Sequence, residues 1–509
     1  MPSTSRTIAK NTIFLYFRMM LIMLVSLYTS RVILHILGIE DYGIYQSVGG
    51  LVMMLAFVNN ALANGTARFL TFEMGTGNQP KLQRTFSTLF WANVGLAVLV
   101  LIVAETVGLW FVSNKLVIPI DRLPAAKIAY QFSIVSCFFQ LIVIPFNACI
   151  IAHEKMAVYA YIGIVEVMLK LLICYLLVFE GIDKLVMYSS LLCLVQVGIV
   201  LFYVFYCNRN FVECRGYRKI DRTIMKDVMS YSAWNLIAST EGALTNQGST
   251  ILINLFFSPV VVSARAVANQ VNMAANQFVA NFRTAANPQI VKRYASKDYD
   301  GSKTLLIEST KYSYYLMLLL ALPICLVAQD LLEIWLKEVP DYSAPFLQLA
   351  IVTSLIQVFD TSFYTALYAK GCMKENALTS PTLGILLFPI VYFLFRIGLS
   401  PLTWAWAFLI LHVILSFLQK PLLLIRLVDY SWKDIFGVFL PCFKVTIVSV
   451  IIPLLAYHFS DILFVSRWNR FVLMILISII SVALSVWALG INREIREKII
   501  GFIMIKKKS

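Results

Sequence analysis

The chain has 509 residues, of which 60% are hydrophobic and only 14% charged. That is too little charge to solvate a globular surface of this size, which excludes a soluble enzyme or scaffold. A net charge of +15 would suit a nucleic-acid binder, but no basic tract is interleaved with aromatic residues, so nucleic acid is not an expected partner.

Hydrophobic runs of about twenty residues recur along the chain and ten-residue alternating strands do not, so the expected fold class is an all-α polytopic membrane protein. Fourteen runs can be drawn, at 11–37, 43–63, 86–112, 126–152, 157–179, 184–207, 229–257, 260–287, 306–329, 344–370, 376–395, 401–425, 435–458 and 470–490. The second and seventh are weak by hydropathy alone. Pro145, Pro323, Pro389 and Pro453 interrupt runs and predict kinks. MPSTSRTIAKN leads straight into a full-length run, so no cleaved signal peptide is expected. Lys and Arg crowd alternate connections: Arg209, Arg215, Arg218, Lys219, Arg222 and Lys226 lie in 207–227, and another group in the tail. The positive-inside rule puts both termini in the cytoplasm, with an even number of spans and anionic lipids beside the basic loops.

The first connection, SRVILHILGIEDYGIYQSVGG (30–50), places Gly38 to end one helix and Asp41 to cap the next. ARFLTFEMGTGN (67–78) comes after the second run. In the fifth, Glu166 and Lys170 form an i,i+4 pair, read either as self-neutralised or as a substrate contact. Sliding the chain by 217 residues aligns 131–179 with 348–396, and twelve of 49 positions are identical. The period is six helices, so the halves share orientation. The expected domains are 1–210, 211–430 and 431–509, that is, two pseudo-symmetric six-helix lobes and two final helices with a basic tail.

In the seventh run Asn235, Ser239, Gly242, Asn246 and Thr250 share one face, with Glu241 well off it. The eighth run, VSARAVANQVNMAANQFVANFRTAAN (262–287), is the most unusual. At 100° per residue Arg265, Asn269, Asn272, Asn276 and Arg283 fall on one stripe, roughly 27 Å long, while Val267, Val271, Ala274, Phe278 and Phe282 hold an apolar face. Arg and Asn are costly against lipid, so the stripe must face protein or water. Two readings stand: the residues line a substrate path, or the asparagines bond neighbouring helices while the arginines reach the two interfaces. Arg forks suit phosphate and Asn amides suit sugar hydroxyls. Asn235 and Asn246 join Arg265, Asn269, Asn272, Asn276 and Arg283 as candidate substrate-binding residues.

Asp360 is a lone carboxylate in the tenth run, either paired with Lys420 or Lys444 or serving cation coupling. Glu241 carries the same two readings, and H+ or Na+ is the candidate coupling ion. The nine cysteines are scattered without a CxxC pair, and His35, His153, His412 and His458 lie far apart. No metal site and no cofactor are expected. The phosphate-binding motif GxxxxGK[ST] is absent, no catalytic constellation occurs, and the outer loops are too short to hold an enzyme domain.

With NFRTAANPQIVKRYA (281–295), the three local motifs make the chain similar to the prokaryotic polysaccharide transporters. These are the O-antigen and related lipid-linked oligosaccharide flippases of the multidrug/oligosaccharidyl-lipid/polysaccharide (MOP) superfamily. The resemblance implies a MATE-like fold, a V-shaped cavity between lobes and an undecaprenyl-pyrophosphate-linked oligosaccharide as partner in the bacterial inner membrane. A cation-coupled multidrug exporter of the same superfamily and a membrane enzyme of glycan polymerisation are the rival readings. Oligomeric state and the identity of the glycan are not legible.

Overall fold

The computed structural model describes residues 2–55, 58–153, 155–179, 181, 183–216, 220–226, 228–229, 242, 244–372, 374–459, 466–491 and 496. Every regular element among them is helical. In chain order the main helices are α1 (Pro2–Leu55), α2 (Val58–Thr76), α3 (Gln79–Asn114), α4 (Leu123–Ala152), α5 (Met156–Leu176), α6 (Lys184–Asn210) and α7 (Ser249–Phe256). They continue with α8 (Pro259–Ala295), α9 (Tyr299–Leu326), α10 (Ser343–Lys370), α11 (Lys374–Arg396), α12 (Thr403–Leu427), α13 (Trp432–His458) and α14 (Arg467–Gly490). Among the described residues ten of these, α1, α3, α4, α6 and α9 to α14, are long and apolar enough to cross a membrane. The chain is a multi-pass, all-α membrane protein.

The first connection shows how the sequence turns the chain. α1 bends at Gly38, whose φ of 81° and ψ of 166° suit only a residue without a side chain. Past the bend, Ser263 Oγ donates to the Ile39 carbonyl at 2.5 Å. Gly43 lies against the start of α8, where an added Cβ would sit 1.9 Å from the Pro259 carbonyl oxygen. Gly43→Ala must therefore push backbone away from backbone. It is expected to cost about 1–3 kcal/mol, read as a lower thermal midpoint in detergent; an unchanged midpoint would contradict the close approach.

Asp41 does not cap the helix after the bend, as its position suggested. It accepts from Arg122 Nε at 2.8 Å and from Arg122 Nη2, and Arg122 Nη1 reaches Asp183 Oδ2 at 2.6 Å. Asp183 in turn caps α6, accepting from the amides of Leu185 and Val186 at 3.0 and 3.2 Å. Burial works to raise the Asp183 pKa, but the Arg122 guanidinium and the two amides outweigh it and hold the carboxyl below its ordinary range. One arginine thus joins the starts of α4 and α6 to the bend of α1. On the other connection, Asn78 Oδ1 accepts from Lys81 N at 3.1 Å and caps α3.

By compactness the chain divides into Met1–Ala266 and Val267–Ser509, a boundary inside α8. The first unit is built on Ile44, Val48, Tyr130, Ile134 and Leu141, all at most 2% exposed. In the second, Phe359 is fully buried, with the rings of Tyr314, Phe417 and Phe439 within 5.6 Å of it. Shifted by 217 residues, the bounds of α4, α5 and α6 fall within three residues of those of α10, α11 and α12. This is the periodicity expected of a duplicated six-helix lobe.

Candidate functional site

α8 contains no acidic residue from Pro259 to Ala295, so its arginines must find neutral partners or another helix. In the first unit Arg265 is buried and donates to Thr250 Oγ1 at 2.7 Å and to Ser249 Oγ. No carboxylate pairs with it among the described residues. A π-helical turn over Leu244–Gly248 precedes these two hydroxyl residues. Such a turn holds an extra residue and so rotates the facing of the residues after it. Asn246, within that turn, is exposed and donates to the Gly242 carbonyl at 2.8 Å. Asn235 and Glu241 lie outside the described residues.

In the second unit the stripe runs along α10. Ser354 Oγ donates to Asn272 Oδ1 at 2.8 Å, and Asn276 Nδ2 donates to Ser354 Oγ at 2.7 Å. Arg283 donates to Thr361 Oγ1, and Thr365 donates to Asn287 Oδ1 at 3.4 Å. The pairs at 276, 283 and 287 each join residues 78 apart in sequence, so two parallel helices are matched rung by rung. Arg283 Nε is buried and has no acceptor among the described residues. Asn269 is half-buried further up the helix. On the opposite side Phe278 and Phe282 are 49% and 39% exposed, an apolar face suited to lipid. This geometry has the interhelical bonds of one reading of the stripe while leaving part of the Arg283 fork unused.

Asp360 sits on α10 with its Oδ1 3.1 Å from Lys420 Nζ on α12. Lys420 is 3% exposed, donates to Asn376 Oδ1 and to Ser380 Oγ at 3.2 Å, and lies 5.7 Å from the Tyr364 ring centre. Of the two lysines the sequence offered, Lys420 is therefore the partner. The ammonium is thus held by oxygens of Asp360 on α10 and of Asn376 and Ser380 on α11.

The first unit also holds two polar cavities that sequence reasoning did not assemble. One, of about 330 Å³, is lined by Gln46, Gln140, Lys170, Gln196 and Gln247 with Ser133 and Ser136. The other, of about 280 Å³, is lined by Gln140, Asn147, Glu166, Gln196 and Tyr203. Gln140 and Gln196 border both, and the Glu166–Lys170 ion pair, at 2.6 Å, contributes one residue to each. Asn147 Oδ1 is buried with no donor among the described residues. Amides facing such a space can exchange water for sugar hydroxyls with little loss. The signal was present as single amides inside apolar runs, but no helical phase links α1, α4 and α6.

Comparison with solved structures gives the class. Lipid II flippase MurJ in an inward closed conformation is similar with a TM-score of 0.69 at 11% identity, covering 93% of this chain and 97% of that one. An inward-facing multidrug resistance MATE family transporter of the MOP superfamily matches with a TM-score of 0.64 at 14% identity, covering 80% and 96%. A MOP superfamily transporter from Pyrococcus furiosus matches at 0.57 and 15% identity, covering 83% and 97%. No curated relative matches the sequence. The fold is that of the MOP transporters. Residues 8–294, more than half the chain, match the polysaccharide biosynthesis protein family, and the chain belongs to it.

Proposed function

We propose that the protein is a flippase for an undecaprenyl-pyrophosphate-linked oligosaccharide, an O-antigen or capsule repeat unit, moved across the bacterial cytoplasmic membrane by alternating access. The observation that carries this reading is the family match over 8–294. The chemistry of the residues supports it. A headgroup with two phosphates and many hydroxyls needs cationic forks and amides, and α8 supplies arginines and asparagines without one carboxylate. Arg265, Asn269, Asn272, Asn276, Arg283, Asn235 and Asn246 are the proposed substrate contacts. Asp360 and Glu241 are the proposed coupling carboxylates for H+ or Na+. The charge of the loops supports a cytoplasmic location for both termini. A multidrug exporter, the main rival, binds organic cations and would be expected to present carboxylates and aromatics instead.

The test is reconstitution of the full chain in liposomes with an undecaprenyl-pyrophosphate-linked oligosaccharide, read by the accessibility of the sugar to an added glycosidase. The expected result is protein-dependent loss of protection in the oligosaccharide arm and no transport of a lipophilic dye cation. The reverse pattern would overturn the substrate class.

A further inference from the structure

α4 and the segment after α6 bring together four metal-ligating side chains that are remote from each other in sequence. Cys149 and His153 stand one turn apart at the end of α4, and Glu213 and Cys214 are neighbours beyond Asn210. The ligand atoms of Cys149, His153 and Glu213 all lie within 4.8 Å of one another. Cys214 Sγ is 3.5 Å from Cys149 Sγ, Cys149 Sγ is 3.3 Å from Glu213 Oε1, and His153 Nε2 bonds the same carboxylate oxygen. Phe211 stacks on the His153 ring at 4.0 Å and 7°, which fixes the direction of its nitrogen.

We propose that Cys149, His153, Glu213 and Cys214 form a zinc site that pins the end of α4 to the segment after α6. Tetrahedral zinc with bonds of about 2.3 Å to sulfur and about 2.0–2.1 Å to nitrogen or oxygen requires ligand–ligand edges of roughly 3.3–3.8 Å. The Cys149–Cys214 and Cys149–Glu213 edges already meet this, whereas the His153–Glu213 hydrogen bond must open and Cys214 must close on the other two ligands to admit the ion. Charge points the same way. Glu213 is 4% exposed, and Cys149 and Cys214 are at most 1% exposed. A divalent cation would be held by the buried carboxylate and both buried sulfurs at once. Binding replaces two S–H bonds by two metal–sulfur bonds and releases two protons, with no change of oxidation state. A disulfide between Cys149 and Cys214 would leave the convergence of His153 and Glu213 on the same point unused. The loop rich in Lys and Arg at 207–227 faces the cytoplasm by the charge rule, where thiols stay reduced.

The test uses the full chain, purified in detergent with a non-thiol reductant and titrated with Co2+. The expected result is one equivalent bound, with the strong visible bands of four-coordinate cobalt and a sulfur-to-cobalt band in the near ultraviolet, both bleached by Zn2+. Cys149→Ser and Cys214→Ser should each lose the sulfur band, while Cys193→Ser, a buried cysteine elsewhere, should keep it. Loss even of a residue that only supports a ligand costs about 10–100-fold in affinity, so His153→Gln should weaken binding at least about tenfold. Absence of four-coordinate cobalt in the reduced wild type would overturn the proposal. So would an unchanged spectrum in the Cys149→Ser, Cys214→Ser double variant. If a serine variant fails to fold, the wild type decides alone: zinc should raise its thermal midpoint and a chelator should reverse this. A midpoint indifferent to both would count against the site.

Discussion

Asp360→Asn is expected to destabilise the second unit by about 3–5 kcal/mol, the cost of breaking a buried ion pair from one side. The carboxylate lies 3.1 Å from Lys420 Nζ, and Lys420 is 3% exposed, so the variant leaves an ammonium buried with neutral oxygens alone. The surviving charge keeps its desolvation penalty and has lost the attraction that offset it. Removing both charges avoids that penalty. The Asp360→Asn, Lys420→Met double variant should therefore recover much of the midpoint lost by the single one. Thermal unfolding in detergent measures both, and a double variant as unstable as the single would show that the pair is not the cause. The stable double variant also tests coupling. If Asp360 carries the driving ion, flipping by that variant should no longer depend on the ion gradient; unchanged dependence would remove Asp360 from that role.

The second large effect is expected at the arginines of α8. Arg283→Ala and Arg265→Ala should each lower oligosaccharide flipping by about ten- to hundredfold, the equivalent of a charge-assisted contact worth roughly 1.5–3 kcal/mol. Replacement by Lys should restore only part, since an ammonium keeps the charge and loses the fork. The partners of these arginines are hydroxyls of Ser249, Thr250 and Thr361, which can pair with water or with each other when the guanidinium is gone. Folding should therefore suffer less than transport. Wild-type flipping by the double alanine variant would exclude a pyrophosphate role for both residues.

The course of the chain was legible because hydropathy, glycine and proline act locally. Gly38 ends the first span as its position required, and the six-helix period is recovered in the bounds of α10 to α12. Helical phase also put Asn272, Asn276 and Arg283 on one side of α8. What it could not supply was the other side of the contact, because Ser354, Thr361 and Thr365 are weak polar signals inside an apolar helix. Asp41 misleads for a similar reason. A cap is a local event that sequence suggests, whereas its actual partner, Arg122, is 81 residues away. The histidines, compared only with one another along the sequence, show no ligand spacing. His153 gains its neighbours from Cys149 one turn back and from Glu213, 60 residues on, a convergence that exists only once α4 and α6 have packed. The glutamines of the two cavities share this origin.

The rungs between α8 and α10 are not all set at one register. Three join residues separated by 78, but Ser354 also bonds Asn272, at a separation of 82. The two settings differ by four residues, about 6 Å along a helix axis. Ser354 is thus gripped by both the rung it occupies and the one a turn away. If α8 slid past α10 by that step, a hydroxyl let go by one asparagine would already be in the grasp of the other. One hydroxyl of α10 thus serves two successive turns of α8, so that loss of either asparagine leaves Ser354 a partner in the other.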